Sequence, residues 1–232
     1  MGEWTERTEM LLGAEGVERL AKSRVAVFGV GGVGGFAVEA LARAGVGAIE
    51  LFDHDRVSES NINRQIIATR STVGRLKTEV MAERIADINP ECEVVCHSVF
   101  VTPEMVDGLD LDGFDYILDC IDSVSSKVEI LAQACRLGVP VISAMGAGNK
   151  LDPTALTVSD ISKTAVCPLA RAVRVALRKR GIEHLRVVYS TEPPRVAKDA
   201  PRTPGSISFV PSAMGLIIAG EVIKDLSGIR KI

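Results

Sequence analysis

Gly29-Val30-Gly31-Gly32-Val33-Gly34-Gly35 follows the apolar run Arg24-Val25-Ala26-Val27-Phe28 without a break. That run reads as a short buried strand, and residues 36–44 as a helix opened by the glycines. A glycine turn between strand and helix lets backbone N–H groups approach phosphate, and the helix N-terminus adds partial positive charge. Asp53 ends the next strand, 48–53, where a carboxylate is placed to hold ribose hydroxyls. The fingerprint predicts a nucleotide site and leaves NAD, FAD and ATP open.

Strands and helices alternate beyond this point. Helices are expected at 5–22, 72–88, 103–109 and 125–137, the first broken at Gly13 and Gly16. Strands are expected at 93–99, 114–120, 139–144 and 155–158. Such alternation predicts an α/β, Rossmann-like, doubly wound and mainly parallel sheet. The last third is expected to add a basic helix at 168–180, a loop over 191–204, a strand end at 206–210 and a closing helix at 212–226. At 232 residues and 47% hydrophobic, the chain suits one domain, 1–232, with a nucleotide core at 1–160 and the basic remainder at 161–232.

A net charge of −3 provides no global basic field for nucleic acid, so such binding needs a local patch. No signal-like or arginine-rich leader is visible at the start, which makes the cytoplasm the expected location. The apolar stretch 207–223 contains Pro211 and Glu221 and is short for a membrane span, so no membrane anchor is expected. The five cysteines form no CxxC pair and predict no zinc site. Cys96, Cys120 and Cys135 read as small core residues.

Three features need more than a dinucleotide, and a basic region stands beside them. The connection Asp53-His54-Asp55-Arg56-Val57-Ser58-Glu59-Ser60-Asn61-Ile62-Asn63-Arg64-Gln65 is very polar. Lys77 falls in the first turns of a helix, where a cation opposes the dipole, which calls for an anionic partner. Asp119 and Asp122 flank the carboxyl end of a buried strand and are expected to face the crevice, where carboxylates suit Mg²⁺. Arg171, Arg174 and Arg178 share a helix face, and Arg195, Lys198 and Arg202 lie in the proline-rich loop. That basic region reads equally well as solvated surface or as a phosphate-contacting patch.

A dehydrogenase explains the glycines and Asp53 only. An ATP site explains more. The glycines hold phosphate, Asp53 the ribose, Arg64 and Lys77 the polyphosphate charge, and Asp122 the Mg²⁺. Such a site activates a carboxylate by attack on the α-phosphorus, with pyrophosphate leaving.

The glycine run, Asp53-His54-Asp55, Ser60-Asn61-Ile62-Asn63-Arg64-Gln65, Gly74-Arg75-Leu76-Lys77 and Asp119-Cys120-Ile121-Asp122 together resemble the adenylation domain of ubiquitin-activating-enzyme-like proteins. The resemblance covers about the first two-thirds of the chain. It implies that Asp53, Asn61, Arg64, Lys77 and Asp122 serve ATP and metal, with Gly29, Gly31, Gly32, Gly34, Asp55 and Gln65 around the nucleotide. It also implies a homodimer in which Arg7 reaches the γ-phosphate in the partner subunit. Family members that activate a sulfur-carrier or ubiquitin-like protein often carry paired zinc cysteines, which this chain lacks. Cys167-Pro168-Leu169-Ala170-Arg171, Gly205-Ser206-Ile207-Ser208-Phe209-Val210-Pro211-Ser212 and Arg7-Thr8-Glu9-Met10-Leu11-Leu12-Gly13 resemble the branch that dehydrates threonylcarbamoyladenosine in tRNA. That branch implies tRNA as partner and the arginine region as its surface. Cys167 stands where the branch is expected to carry aspartate. The other partner implied by the wider family is a carrier protein.

Overall fold

The structure is a computed structural model that describes residues 3–195 and 203–229. Lys198 and Arg202 lie outside the described residues.

Seven strands form one sheet in the order β3-β2-β1-β4-β5-β7-β6. They are β1 (Arg24–Phe28), β2 (Ala48–Phe52), β3 (Glu93–His97), β4 (Tyr116–Asp119), β5 (Val141–Ala144), β6 (Leu156–Asp160) and β7 (Arg186–Ser190). All pairs are parallel except β6 with β7. The helices are α1 (Glu6–Lys22), α2 (Gly34–Arg43), α3 (Lys77–Ile88), α4 (Pro103–Val106), α5 (Val124–Leu137), α6 (Pro168–Arg178) and α7 (Phe209–Leu226). No helix among the described residues is long and apolar enough to cross a membrane.

Alternation along the strands sorts side chains to two faces. Val25 and Val27 of β1 pack with Leu51, Leu118 and side chains from α2, α3 and α7. Ala26 and Phe28 pack on the opposite face with Ile117, Phe52 and Ile130 of α5. Further along that face, α5 and α6 cover Val187 and Tyr189 of β7. Burial on both faces accounts for the unbroken apolar runs of β1 and β4. The chain turns outward from β1 to β2 on one side and to β4 on the other. That reversal opens a crevice beyond the carboxyl ends of β1 and β4, the place where doubly wound sheets bind ligands.

Several expectations needed correction. The region after α6 contains a strand, β7, between β5 and β6. Residues 206–210 supply no strand and instead lead into α7, which starts at Phe209. Gly13 does kink α1 (φ 74°, ψ 162°), but Gly16 remains helical. The helix expected from residue 72 begins at Lys77, after a series of turns. Cys96 and Cys135 are exposed rather than core residues, while Cys167 is buried.

Asp119 is the largest correction. It does not face the crevice. The side chain is fully buried and accepts hydrogen bonds from Lys127 Nζ (2.6 Å) and Ser143 Oγ (2.5 Å). Lys127, on α5, is equally buried and also donates to the Ala144 carbonyl at 3.1 Å. Burial pushes the Asp119 carboxyl up, against the downward pull of Lys127 and Ser143.

Candidate active site

The glycine turn is a steric requirement. Gly29 has φ 90°, and a Cβ there would lie 2.9 Å from the Cys120 carbonyl oxygen. A Cβ on Gly34 would stand 1.8 Å from the Gly29 carbonyl oxygen. Only glycine at these points lets α2 start directly over β1.

Asp53 then locks the turn to the next loop. Its carboxylate accepts the Val30 N–H at 2.7 Å and the Asp55 N–H at 2.9 Å. Lys77 is buried at the first position of α3, and its ammonium lies 2.6 Å from Asp55 and 4.0 Å from Asp53. The anionic partner that the dipole argument called for is therefore Asp55. The 53–65 connection is folded back by Asn61. Its side chain accepts the Ser58 N–H at 3.1 Å and caps a short 3-10 turn (Glu59–Asn61). This places Arg64, which donates to the Ser60 carbonyl at 2.8 Å and to Asn63 at 2.9 Å. Gln65 is buried, and among the described residues its side-chain carbonyl oxygen has no hydrogen-bond partner.

These parts line one cavity of about 420 Å³, large enough for a nucleotide. Gly29, Gly31, Gly32, Asp53, Asp55, Asn61, Arg64, Gln65, Lys77 and Asp122 all contribute to its wall. Gly34 does not line it and acts through the turn. Asp122 is exposed and, among the described residues, has no ion-pair or hydrogen-bond partner. A free carboxylate at the edge of a phosphate-sized cavity fits the donor chemistry of Mg²⁺.

The sequence argument missed the apolar end. Phe52, Val99, Phe100 and Val101 line it, and the ring of His54 meets Phe100 edge-on at 4.8 Å between centroids. The run Val99-Phe100-Val101, just past the end of β3, carried the signal. An apolar run beyond the carboxyl end of a strand in a doubly wound sheet stands where ligands bind in such sheets. Thr203, Pro204, Gly205, Ser206 and Pro211 also enter the wall, and Asn63 Nδ2 ties this segment to its loop through the Ser206 carbonyl at 3.0 Å.

Residues outside the cavity divide into two groups. Arg7 is exposed on α1 and does not reach the cavity of its own chain. Arg171 and Arg178 are exposed on α6. Arg174, expected on the same face, instead donates to the Thr164 carbonyl (2.9 Å) and hydroxyl (2.5 Å), fastening α6 to the preceding turn. Arg195 pairs with Glu192 at 3.2 Å. Cys167 caps α6, its sulfur accepting the Ala170 N–H at 3.5 Å. Burial pushes the neighbouring Cys120 thiol up to about 12, which makes it a poor nucleophile.

The cavity thus combines a glycine turn at a helix start, two cations, a free carboxylate and an apolar end. The ThiF family model matches residues 5–232. The chain belongs to the ThiF family. Among relatives in that family, the tRNA threonylcarbamoyladenosine dehydratase of Bacillus subtilis (strain 168) is 45% identical over 95% of this chain and 93% of its own length. The solved Escherichia coli tRNA N6-threonylcarbamoyladenosine dehydratase, TcdA, aligns with a TM-score of 0.91 at 37% identity. The alignment covers 99% of this chain and 97% of that one, and TcdA was solved both with ATP and with AMP. The ThiF-family membership agrees with the sequence-based choice of an adenylating site over an oxidoreductase.

Proposed function

We propose that this protein is an ATP-dependent dehydratase that closes a ring on N6-threonylcarbamoyladenosine in tRNA. The observation that carries the reading is the near-complete structural match to a dehydratase solved with ATP and with AMP. The cavity supports it with a turn for phosphate, Arg64 and Lys77 for polyphosphate charge, and apolar residues for a base.

A threonyl carboxylate oxygen would attack the α-phosphorus of ATP, and pyrophosphate would leave. An intramolecular nucleophile on the arm would then attack the activated carbonyl, lose its proton and expel AMP. The oxygen lost by the base departs in AMP, so the base loses the elements of water without an enzyme thioester. Lys77 and Arg64 neutralise the charge that develops as pyrophosphate leaves. Asp122 would hold Mg²⁺, which when bound supplies further charge neutralisation at the phosphates.

The reaction is tested by incubating the protein with ATP and threonylcarbamoyl-modified tRNA. Digested tRNA should contain a nucleoside lighter by one water, with AMP and pyrophosphate in equal amounts. Unchanged nucleoside with ATP-binding protein would refute the reading.

The proposed location is the cytoplasm, with tRNA bound through basic residues on α6. Arg171 and Arg178 are exposed on α6, whereas Arg174 is engaged within the fold and Arg195, also exposed, pairs with Glu192. Replacing Arg171 and Arg178 with glutamine should weaken tRNA binding several-fold and flatten its salt dependence. Binding with an unaltered salt slope would move the RNA surface elsewhere.

The proposed assembly is a homodimer in which Arg7 completes the partner subunit's ATP site.

A further inference from the structure

A second chamber, of about 360 Å³, joins the nucleotide cavity. The two share walls made by Val33, Cys120, Ile121, Asp122, Ala147 and Gly148. Beyond these, the chamber is lined by the 145–150 loop after β5 and by the start of α6. Of the residues proposed to hold the nucleotide and its metal, only Asp122 reaches it.

Lys150 lines this chamber and is only 4% exposed. Among the described residues its ammonium donates to one acceptor, the Glu192 backbone carbonyl, and forms no ion pair. An ammonium has more donors than one carbonyl can use, and a buried cation without an anion is costly. Burial lowers the pKa of Lys150, while Cys167 and Glu192 nearby pull it back up. The N-terminus of α6 begins at the same chamber, at Cys167 and Pro168, and adds partial positive charge.

The backbone around the chamber is held in uncommon conformations. Asn149 has φ 59° and Val166 has φ 50°. A β-branched residue at positive φ is strained and persists only where its surroundings enforce it. The Asn149 conformation is enforced by three hydrogen bonds. Its N–H donates to the Gly205 carbonyl at 2.8 Å, its side chain accepts the Gly205 N–H at 2.6 Å, and its carbonyl accepts the Arg195 N–H at 2.7 Å. Lys150 therefore sits on a rigid support beside a cavity suited to an anion with a small apolar part. Met145 and Leu169 supply apolar wall for that part.

We propose that this chamber is the subsite for the threonylcarbamoyl arm, with Lys150 holding its carboxylate next to the α-phosphate position. The assignment rests on the dehydratase reading and adds to it the residue that selects the anionic arm. In the first step the carboxylate oxygen forms the new O–P bond as the bond to pyrophosphate breaks. The carboxylate loses negative charge during that step. Lys150 therefore binds the ground state at least as strongly as the transition state and shows mainly in KM.

The test compares wild type, Lys150→Met and Lys150→Arg on threonylcarbamoyl-modified tRNA. Lys150→Met should lower kcat/KM by about 10- to 100-fold, mostly through KM for tRNA, with ATP affinity and melting temperature unchanged. Lys150→Arg should keep more of the activity. In parallel, free N6-threonylcarbamoyladenosine and its methyl ester are used as competitive inhibitors. The acid should inhibit wild type about tenfold better than the ester, and equally well in Lys150→Met. Wild-type kinetics in Lys150→Met, or equal inhibition of wild type by acid and ester, would overturn the proposal. If Lys150→Met does not fold, the acid and ester comparison on wild type decides alone. Failure of wild type itself to cyclise the tRNA would instead remove the dehydratase reading.

Discussion

Asp122→Ala should lose ATP turnover by about a thousandfold or more, about 4 kcal/mol of transition-state stabilisation, while the fold stays intact. The two halves of this expectation have separate causes. Asp122 is exposed and has no partner among the described residues, so its removal breaks no contact and leaves the melting temperature in place. It also contributes to the cavity wall as a carboxylate that Lys77 does not neutralise, since Lys77 is engaged with Asp55. Pyrophosphate release assayed over a Mg²⁺ titration gives the measurement. Turnover within tenfold of wild type would remove Asp122 from the metal site. The same variant serves the dimer proposal. Mixed with Arg7→Ala protein under conditions where subunits exchange, it should recover part of the activity, because one hybrid site carries neither substitution. No recovery after confirmed exchange would place Arg7 outside the partner's site.

The second large effect concerns stability. Lys127→Met should destabilise the fold by about 3–5 kcal/mol, because it leaves the Asp119 carboxylate buried without its cation. Urea unfolding should show a lower midpoint at unchanged slope. The double variant Lys127→Met with Asp119→Asn should recover at least half of the loss, since the uncompensated charge is gone and an acceptor for Ser143 remains. A double variant as unstable as the single one would mean that packing around the lysine stem, not charge, dominates. The pair also stands directly behind the site. Asp119 ends β4, and Cys120, Ile121 and Asp122 leave from it into the cavity wall.

The contrast between Asp119 and Asp122 shows what was readable beforehand. That the glycine turn, Asp53, Arg64, Lys77 and Asp122 come together was legible because steric demand and polar spacing act locally. A glycine with φ 90° beside a carbonyl has no substitute, and a lysine at a helix start needs an anion. The direction of Asp119 was not legible. Two acids three residues apart straddle the end of a strand, and which one turns inward depends on a lysine one helix away. Arg174 teaches the same lesson. Its spacing put it on the face of Arg171 and Arg178, yet its reach let it find the Thr164 carbonyl. Strand β7 was hidden for a different reason. It opens on Arg186, after a basic run, and the partner that neutralises this arginine, Asp225, lies on the last helix. The apolar end of the cavity was missed because the expected strand, 93–99, took in only Val99 and left Phe100 and Val101 unassigned. In the fold these three residues are loop, and their place in the cavity wall comes from where the sheet puts the end of β3 rather than from their own pattern.

The position of β7 has a consequence for how the chain is made. Strands β5 and β6 leave the ribosome before β7, yet β7 lies between them and, among the described residues, is the sole sheet partner of β6. The sheet therefore cannot close while residues 186–190 are still in the exit tunnel. The nucleotide cavity is later still, because Pro204, Gly205, Ser206 and Pro211 belong to its wall. A nascent chain that already displays the glycine turn therefore still lacks part of the wall of the cavity that the turn opens onto.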